Sequence, residues 1–257
     1  MGRSPYNDSG TMVQATDHTA NFGIARWKAW APGVGDDSGW RGWLDGDDSS
    51  MLDSQPDVNF LPGMLRRRLD RHGRMALHTA WSCAEGLDSV QFVFASRHGD
   101  LSRTLELLVA LGNKDMLSPT SFSLSVHNST AGLFSIARGD RSAATAMAAG
   151  ADTLGLCLLE GANMIAEGAE HVLVCYADDM PPACYQPYVT EESTRLPFSI
   201  SMLLTKTAPL SCRLVRHRGG SIEAPEAALI RFLVEEGDDS VIGVDQPWRL
   251  ERDKHAH

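Results

Sequence analysis

The sequence has no basic excess: 23 Lys and Arg stand against 33 Asp and Glu, for a formal net charge of −10. So acidic a chain has no general means of neutralising nucleic-acid phosphates. It contains no apolar run long enough to cross a membrane. Residues 1–20 are polar and lack an apolar signal core, so they read as a disordered leader and not as a secretory signal. Cysteine is scarce and odd in number. Cys83, Cys157, Cys175, Cys184 and Cys212 form no CxxC pair and read as reduced thiols of a cytoplasmic protein. His and Cys do not cluster at ligand spacing, so no metal site is expected. The phosphate loop GxxxxGKS/T, the dinucleotide loop GxGxxG and the nucleophile elbow GxSxG are all missing, and nothing calls for a cofactor. There is no internal repeat.

What remains is 257 residues, 43% of them apolar, enough for one sizeable α/β domain. Residues 22–30 read as a first strand and 38–44 as a short helix carrying Trp40 and Trp43. Residues 61–86 carry a long helical pattern, with Met64, Leu65, Leu69, Met75, Ala76 and Ala80 at three- and four-residue spacing. A strand at 90–95 follows, then a helix capped by Asp100 and stopped by Gly112. Beyond Ser118-Pro119, a helix is expected from 129 to 137, a small-residue strand at 143–149 and a helix at 152–167 that is apolar almost all round, hence buried. Residues 172–176 read as a strand inside a parallel sheet. Further strands are expected at 198–206 and 241–250, with a helix at 224–234. Alternating strands and helices predict an α/β fold with a mixed, mostly parallel sheet covered by helices, in a single domain spanning 21–257.

Chemistry-bearing residues are few. Ser129, His127 and Asp152 can be drawn as a triad, although nothing in the sequence fixes their geometry and His127 and Asn128 suit a helix cap or the satisfaction of backbone groups. Asp178 and Asp179 follow a strand, where carboxylates bind ligands or cap loops. The run from Arg66 through Arg67, Arg68 and Arg71 to Arg74 is the one cationic concentration, either a solvated helix face or a dock for an acidic partner.

The stretch from Ser118-Pro119 through HNSTAGLFSI at 127–136 resembles the β-ketoacyl synthase pattern SP…PNxxAGxxSI. Arg67-Arg68-Leu69-Asp70-Arg71 resembles that family's RRxDR helix, and 22–32 its opening strand. The likeness covers most of 22–206, the N-terminal half of a thiolase-type condensing enzyme. It implies half of a thiolase-like fold, with 207–257 as a divergent C-terminal cap. Counted from either flank, the family's nucleophilic cysteine falls at Ala151, whose methyl cannot take an acyl group from a carrier thioester. After Lys206 only His217, His255 and His257 remain, and neither the HGT-like nor the GGH-like motif is present.

The segments FASRHG at 94–99, SLSVHN at 123–128 and AGLFSIARGD at 131–140 are similar to the chain-length-factor-like proteins of aryl polyene and dialkylresorcinol clusters. The resemblance implies a non-catalytic subunit that pairs with an active β-ketoacyl synthase and shapes its acyl tunnel. In that reading His127, Asn128, Thr130, Leu133 and Phe134 face the tunnel and the partner. Thr145, Ala146, Met147, Ala148 and Ala149 form the dimer strand. Arg66, Arg67 and Arg71 could receive an acyl carrier protein. The alternatives are a small hydrolase or decarboxylase built on Ser129, His127 and Asp152, or a stand-alone homodimeric binding half-domain.

Overall fold

A computed structural model describes residues 19–34, 37–46, 53–188, 197–219 and 223–253. The expected leader therefore lies outside the described residues, except for Thr19 and Ala20, which already belong to the first strand. His255 and His257 also lie outside them.

In chain order the elements are β1 (Thr19–Trp30), α1 (Asp37–Asp45), α2 (Gly63–Arg66), α3 (Arg71–Cys83), β2 (Gln91–Ala95), α4 (Leu101–Gly112), α5 (Pro119–Ser125), α6 (Ser129–Arg138), β3 (Ala144–Met147), α7 (Thr153–Ala166), β4 (His171–Asp178), β5 (Phe198–Thr205), β6 (Leu210–Arg216), α8 (Pro225–Val234), β7 (Asp239–Ile242) and β8 (Trp248–Arg252). The strands form one sheet in the order β3-β2-β4-β5-β1-β6-β8-β7.

The sheet is mixed, as expected, but it is not mostly parallel. Only β2 pairs in parallel, with β3 and with β4, and every other pairing is antiparallel. Parallel neighbours need a long crossover, and α4–α6 and α7 supply it between β2 and β3 and between β3 and β4. Strand β1 runs antiparallel to both of its neighbours, β5 along its C-terminal half and β6 along its N-terminal half. The connection from β5 to β6 crosses β1 at Gly23, where a Cβ would lie 2.6 Å from the Ala208 backbone nitrogen. Glycine is the residue that permits this approach.

Side chains alternate across β4. Val172, Val174 and Tyr176 face a core shared with α7 and α8, while Leu173, Cys175 and Ala177 face a second core beneath α3 and α6. A strand buried on both sides reads as a continuous apolar run, which is why it was recognisable. Helix α7 is buried as expected, with Leu154, Cys157, Leu158, Ala162 and Ile165 against the sheet.

Two expected elements divide. The pattern at 61–86 breaks at Asp70, which is extended and caps α3 by accepting from the Gly73 N–H at 2.9 Å. The strand expected at 241–250 is a hairpin, because Gly243 takes φ +111° and Pro247 follows. Strand β6 was not anticipated. With β7 and β8 it makes the segment after 206 a continuation of the sheet. No helix among the described residues is long and apolar enough to cross a membrane.

Candidate functional site

Ala151 lies in the single 3-10 turn Gly150–Asp152 that joins β3 to α7. Gly150 has φ +58°, and Thr153 braces the turn: its Oγ1 donates to the Gly150 carbonyl at 2.7 Å and accepts from the Ala149 N–H at 2.9 Å. The half-buried Ala151 methyl thus sits at the start of a long helix, the position the sequence resemblance gives to a nucleophile. No cysteine replaces it. Cys157 is buried further along α7, and desolvation pushes its thiol well up. Burial also raises Cys83 to about 12, Cys175 to about 11 and Cys212 to about 12. These four remain neutral thiols at physiological pH, without nucleophilic thiolate. Cys184 is exposed, on the separate 3-10 segment Ala183–Tyr188.

The drawn triad is not assembled. Ser129 Oγ donates to the Leu124 carbonyl at 2.9 Å, and His127 Nε2 lies 2.9 Å from the Ser96 carbonyl. A carbonyl only accepts, so that His127 nitrogen carries the proton and is no base. The Asp152 carboxylate is occupied by backbone N–H groups of residues 244–246. Asp178 is fully buried and ties down the turn after β2, accepting from Ser96 Oγ at 2.7 Å, Arg97 N at 2.8 Å and His98 N at 3.1 Å. Asp179 pairs with Arg71 at 2.6 Å. Asp178, the last residue of β4, and Asp179 just after it thus hold turns and neighbouring side chains in place.

The basic run separates in the same way. Arg66 donates to Asn59 and Arg71 is held by Asp179, so neither is a free cation on the surface. Arg67 and Arg68 are exposed and line a cleft of about 340 Å³ with Ser102, Arg103, Glu106 and Thr120. Arg103 braces the floor, reaching Asp100 at 2.6 Å and Asp70 at 3.4 Å. Burial, reinforced by Asp70, raises the Asp100 carboxyl to about 6.

The proposed tunnel residues divide by face. Thr130, Leu133 and Phe134 do not point outward: each is buried in this chain's own interior, and the Phe134 ring lies 4.6 Å from that of Phe92. Their helix turns this face inward, Phe134 onto the sheet and Leu133 into a cluster with Leu69 and Leu77 at α3. Asn128 is exposed and His127 half-buried. On the outward side of the same region stand Phe122, 60% exposed, Val126 and Ile136, 67% exposed. Of the residues expected to form a dimer strand, Thr145, Ala146 and Met147 lie in β3, which among the described strands is a sheet edge paired with β2 alone; Ala148 and Ala149 follow its end.

Helix α6 packs on β3, α5 on α6 and α4 on α5, and neither α4 nor α5 has a fully buried residue. Leu108, Val109 and Leu111 on α4 and Met116 after it are exposed together with Phe122 and Val126. Large apolar side chains exposed in this number on two packed helices point to an interaction site. The sequence reading expects α4 but neither α5 nor the lack of cover over both. The signal available was the density of leucine and valine at 105–111, which exceeds what one buried stripe would use.

Residues 40–229 match the family model for the β-ketoacyl synthase N-terminal domain. The chain belongs to this family. In structure it is similar to a chain of the ketosynthase (ApeO) in complex with its chain length factor (ApeC) from Xenorhabdus doucetiae. The TM-score is 0.76 at 27% identity, covering 90% of this chain and 99% of that one. The ishigamide ketosynthase/chain length factor matches at TM-score 0.55 and 15% identity, over 73% of this chain and 62% of that one. A β-ketoacyl synthase from Burkholderia phymatum STM815 matches at 0.60 and 12%, over 85% and 71%. The last two share the fold alone. No curated protein matches the chain in sequence. The chain is a ketosynthase-like domain that resembles subunits of ketosynthase–chain length factor complexes.

Proposed function

We propose that the chain is a non-catalytic, chain-length-factor-like subunit of aryl polyene or polyketide-type biosynthesis, paired with an active β-ketoacyl synthase. The observation that carries this reading is the uncovered apolar surface of α4, α5 and the outer side of α6 beside the open β3 edge. A strand edge of small, uncharged residues accepts another strand, and the apolar helices beside it bury area on association. Ala151 supports the non-catalytic part, because a methyl forms no acyl-enzyme. In this reading Phe122, Val126 and Ile136 meet the partner's acyl tunnel, and the bulk they present limits product length. Each methylene accommodated or refused there is worth about 1–3 kcal/mol. Arg67 and Arg68, at the mouth of the cleft, are available to an acidic acyl carrier protein.

The test is co-expression with the cognate synthase and light scattering on the eluted species. A stable one-to-one complex, weakened at least tenfold by Leu108→Glu, is expected. Elution of this chain as a monomer, or as a homodimer that ignores the synthase, overturns the pairing. Condensation of acyl-carrier thioesters by the purified chain alone overturns the non-catalytic part.

A further inference from the structure

The residue after Ala151 has an unusual set of partners. The Asp152 side chain is buried, and it does not cap its own helix. Instead Oδ1 accepts from Val244 N at 2.7 Å and Asp245 N at 3.1 Å, and Oδ2 accepts from Gln246 N at 2.9 Å. These are three successive backbone N–H groups of the β7–β8 turn, more than 90 residues away in sequence. Consecutive N–H groups turned toward one point form an anion-binding nest. Here the anion is the chain's own carboxylate.

A second observation comes from the other side of the contact. Gly243, at φ +111°, approaches so closely that a Cβ there would lie 2.8 Å from Asp152 Oδ1. The turn is therefore shaped around the carboxylate.

We infer that Asp152 is a positioning residue that latches the C-terminal hairpin onto the β3–α7 turn, so that the hairpin is a working part of the former nucleophile site and not an appended cap. The family match ends at residue 229, so the latch joins the matched domain to a segment beyond it. Its consequence is mechanical. The turn carrying Ala151 and the hairpin 239–252 open together or not at all, and the loop that ends the β3 edge is held in one conformation. The inference does not depend on the pairing reading.

Amide hydrogen exchange on Asp152→Asn tests it. An asparagine presents one NH2 to the nest, so whichever way it turns, a donor faces a donor. Exchange at 243–247 and at the start of α7 is expected to rise roughly tenfold or more, because hydrogen bonds to a charged acceptor are among the stronger ones, while α3 and β4 stay protected. Gly243→Ala should reproduce that pattern from the opposite side. Asp152→Gly supplies a readout that a merely structural role would not move. It removes a carboxymethyl group, and acetate replaces that group as a free ion. Acetate should restore protection at 243–247 where chloride at equal ionic strength does not. Unchanged exchange in Asp152→Asn, loosening spread evenly over the chain, or acetate acting no better than chloride overturns the inference.

Discussion

The two ends of the sheet are finished in opposite ways. At the β7 end, the last strand begins at Asp239 after the acidic residues Glu235, Glu236 and Asp238, and Ser240 Oγ donates to the Ala228 carbonyl at 2.9 Å. Charge at an edge discourages further pairing. Behind it, α8 buries Ala227, Leu229, Ile230 and Phe232. At the β3 end, the edge is short, uncharged and half exposed, and α4 and α5, reached from it through α6, have no fully buried residue. The same chain thus seals one end with its own residues and leaves apolar surface uncovered at the other. Leucine and valine left exposed along α4 mark a surface for something else to cover. That contrast supports a partner at β3 and argues against one at β7.

The largest effect that would sharpen the contrast is inside the open end. Phe134 packs against Phe92 and Trp81 beneath the sheet. Phe134→Ala should therefore cost about 3–5 kcal/mol of stability, measured by urea unfolding. If it were instead neutral for folding and altered only product length, Phe134 would face a tunnel, and the open end would extend deeper than the structure places it.

Helix α8, which backs the closed end, should show pH dependence where its first turn reaches β4. Glu226 is buried and accepts from Tyr176 OH at 2.7 Å. Desolvation is the main cause that raises its carboxyl from the ordinary 4.5 to about 7; Asp178 adds to the shift, while Tyr176 and Arg97 oppose it. A group whose folded pKa is raised contributes stability that is complete below about 4.5 and lost as pH rises through about 7. The chain should thus lose up to about 3 kcal/mol between pH 5 and pH 8 through this group. Glu226→Gln should flatten the unfolding profile over that interval. A profile unaltered by the substitution would show that α8 is not held through a neutral Glu226.

Arg252 tests the same end more gently. It donates to the Gly237 and Phe232 carbonyls, each at 2.7 Å, with its guanidinium 4.8 Å from the Phe232 ring. Arg252→Met keeps the stem and removes both hydrogen bonds. A loss of about 2 kcal/mol is expected by the same unfolding measurement. A smaller loss than that of a comparable change at α4 would erase the difference between a sealed and an open end.

How far the sequence disclosed this arrangement follows from which signals are local. Strands β2, β4 and β5 are short apolar runs, and α4 begins at an aspartate that caps it, so periodicity and caps were enough. Asp70 was a cap hidden inside a longer helical pattern, where the apolar spacing on both sides overrode it. Strand β6 alternates Leu210, Cys212 and Leu214 with polar residues because only one of its faces is covered. That signal was present but too short to stand out after Pro209. The site was less legible. Apolar spacing in α6 cannot say whether Phe134 meets its own sheet or a partner. The partners of Asp152 are backbone N–H groups, which leave no mark in a sequence at all.

The smallest folding effect belongs to the surface that matters most for the contrast. Ile136 lies on the same helix as Phe134, two residues on, yet it is 67% exposed while Phe134 is 1% exposed. In the isolated chain, Ile136→Ser removes a side chain that is already in water, so unfolding should change by no more than about 0.5 kcal/mol. In the complex it should weaken association with the synthase by about 1–2 kcal/mol, because a buried aliphatic contact is lost only there. Titration of the two purified chains, with Arg252→Met as the reference from the other end, separates these terms. The sealed-end variant should bind the synthase as well as the unaltered chain does, and the Ile136 variant should fold as well but bind less. If both variants bind alike, the uncovered surface at β3 is not where the partner sits.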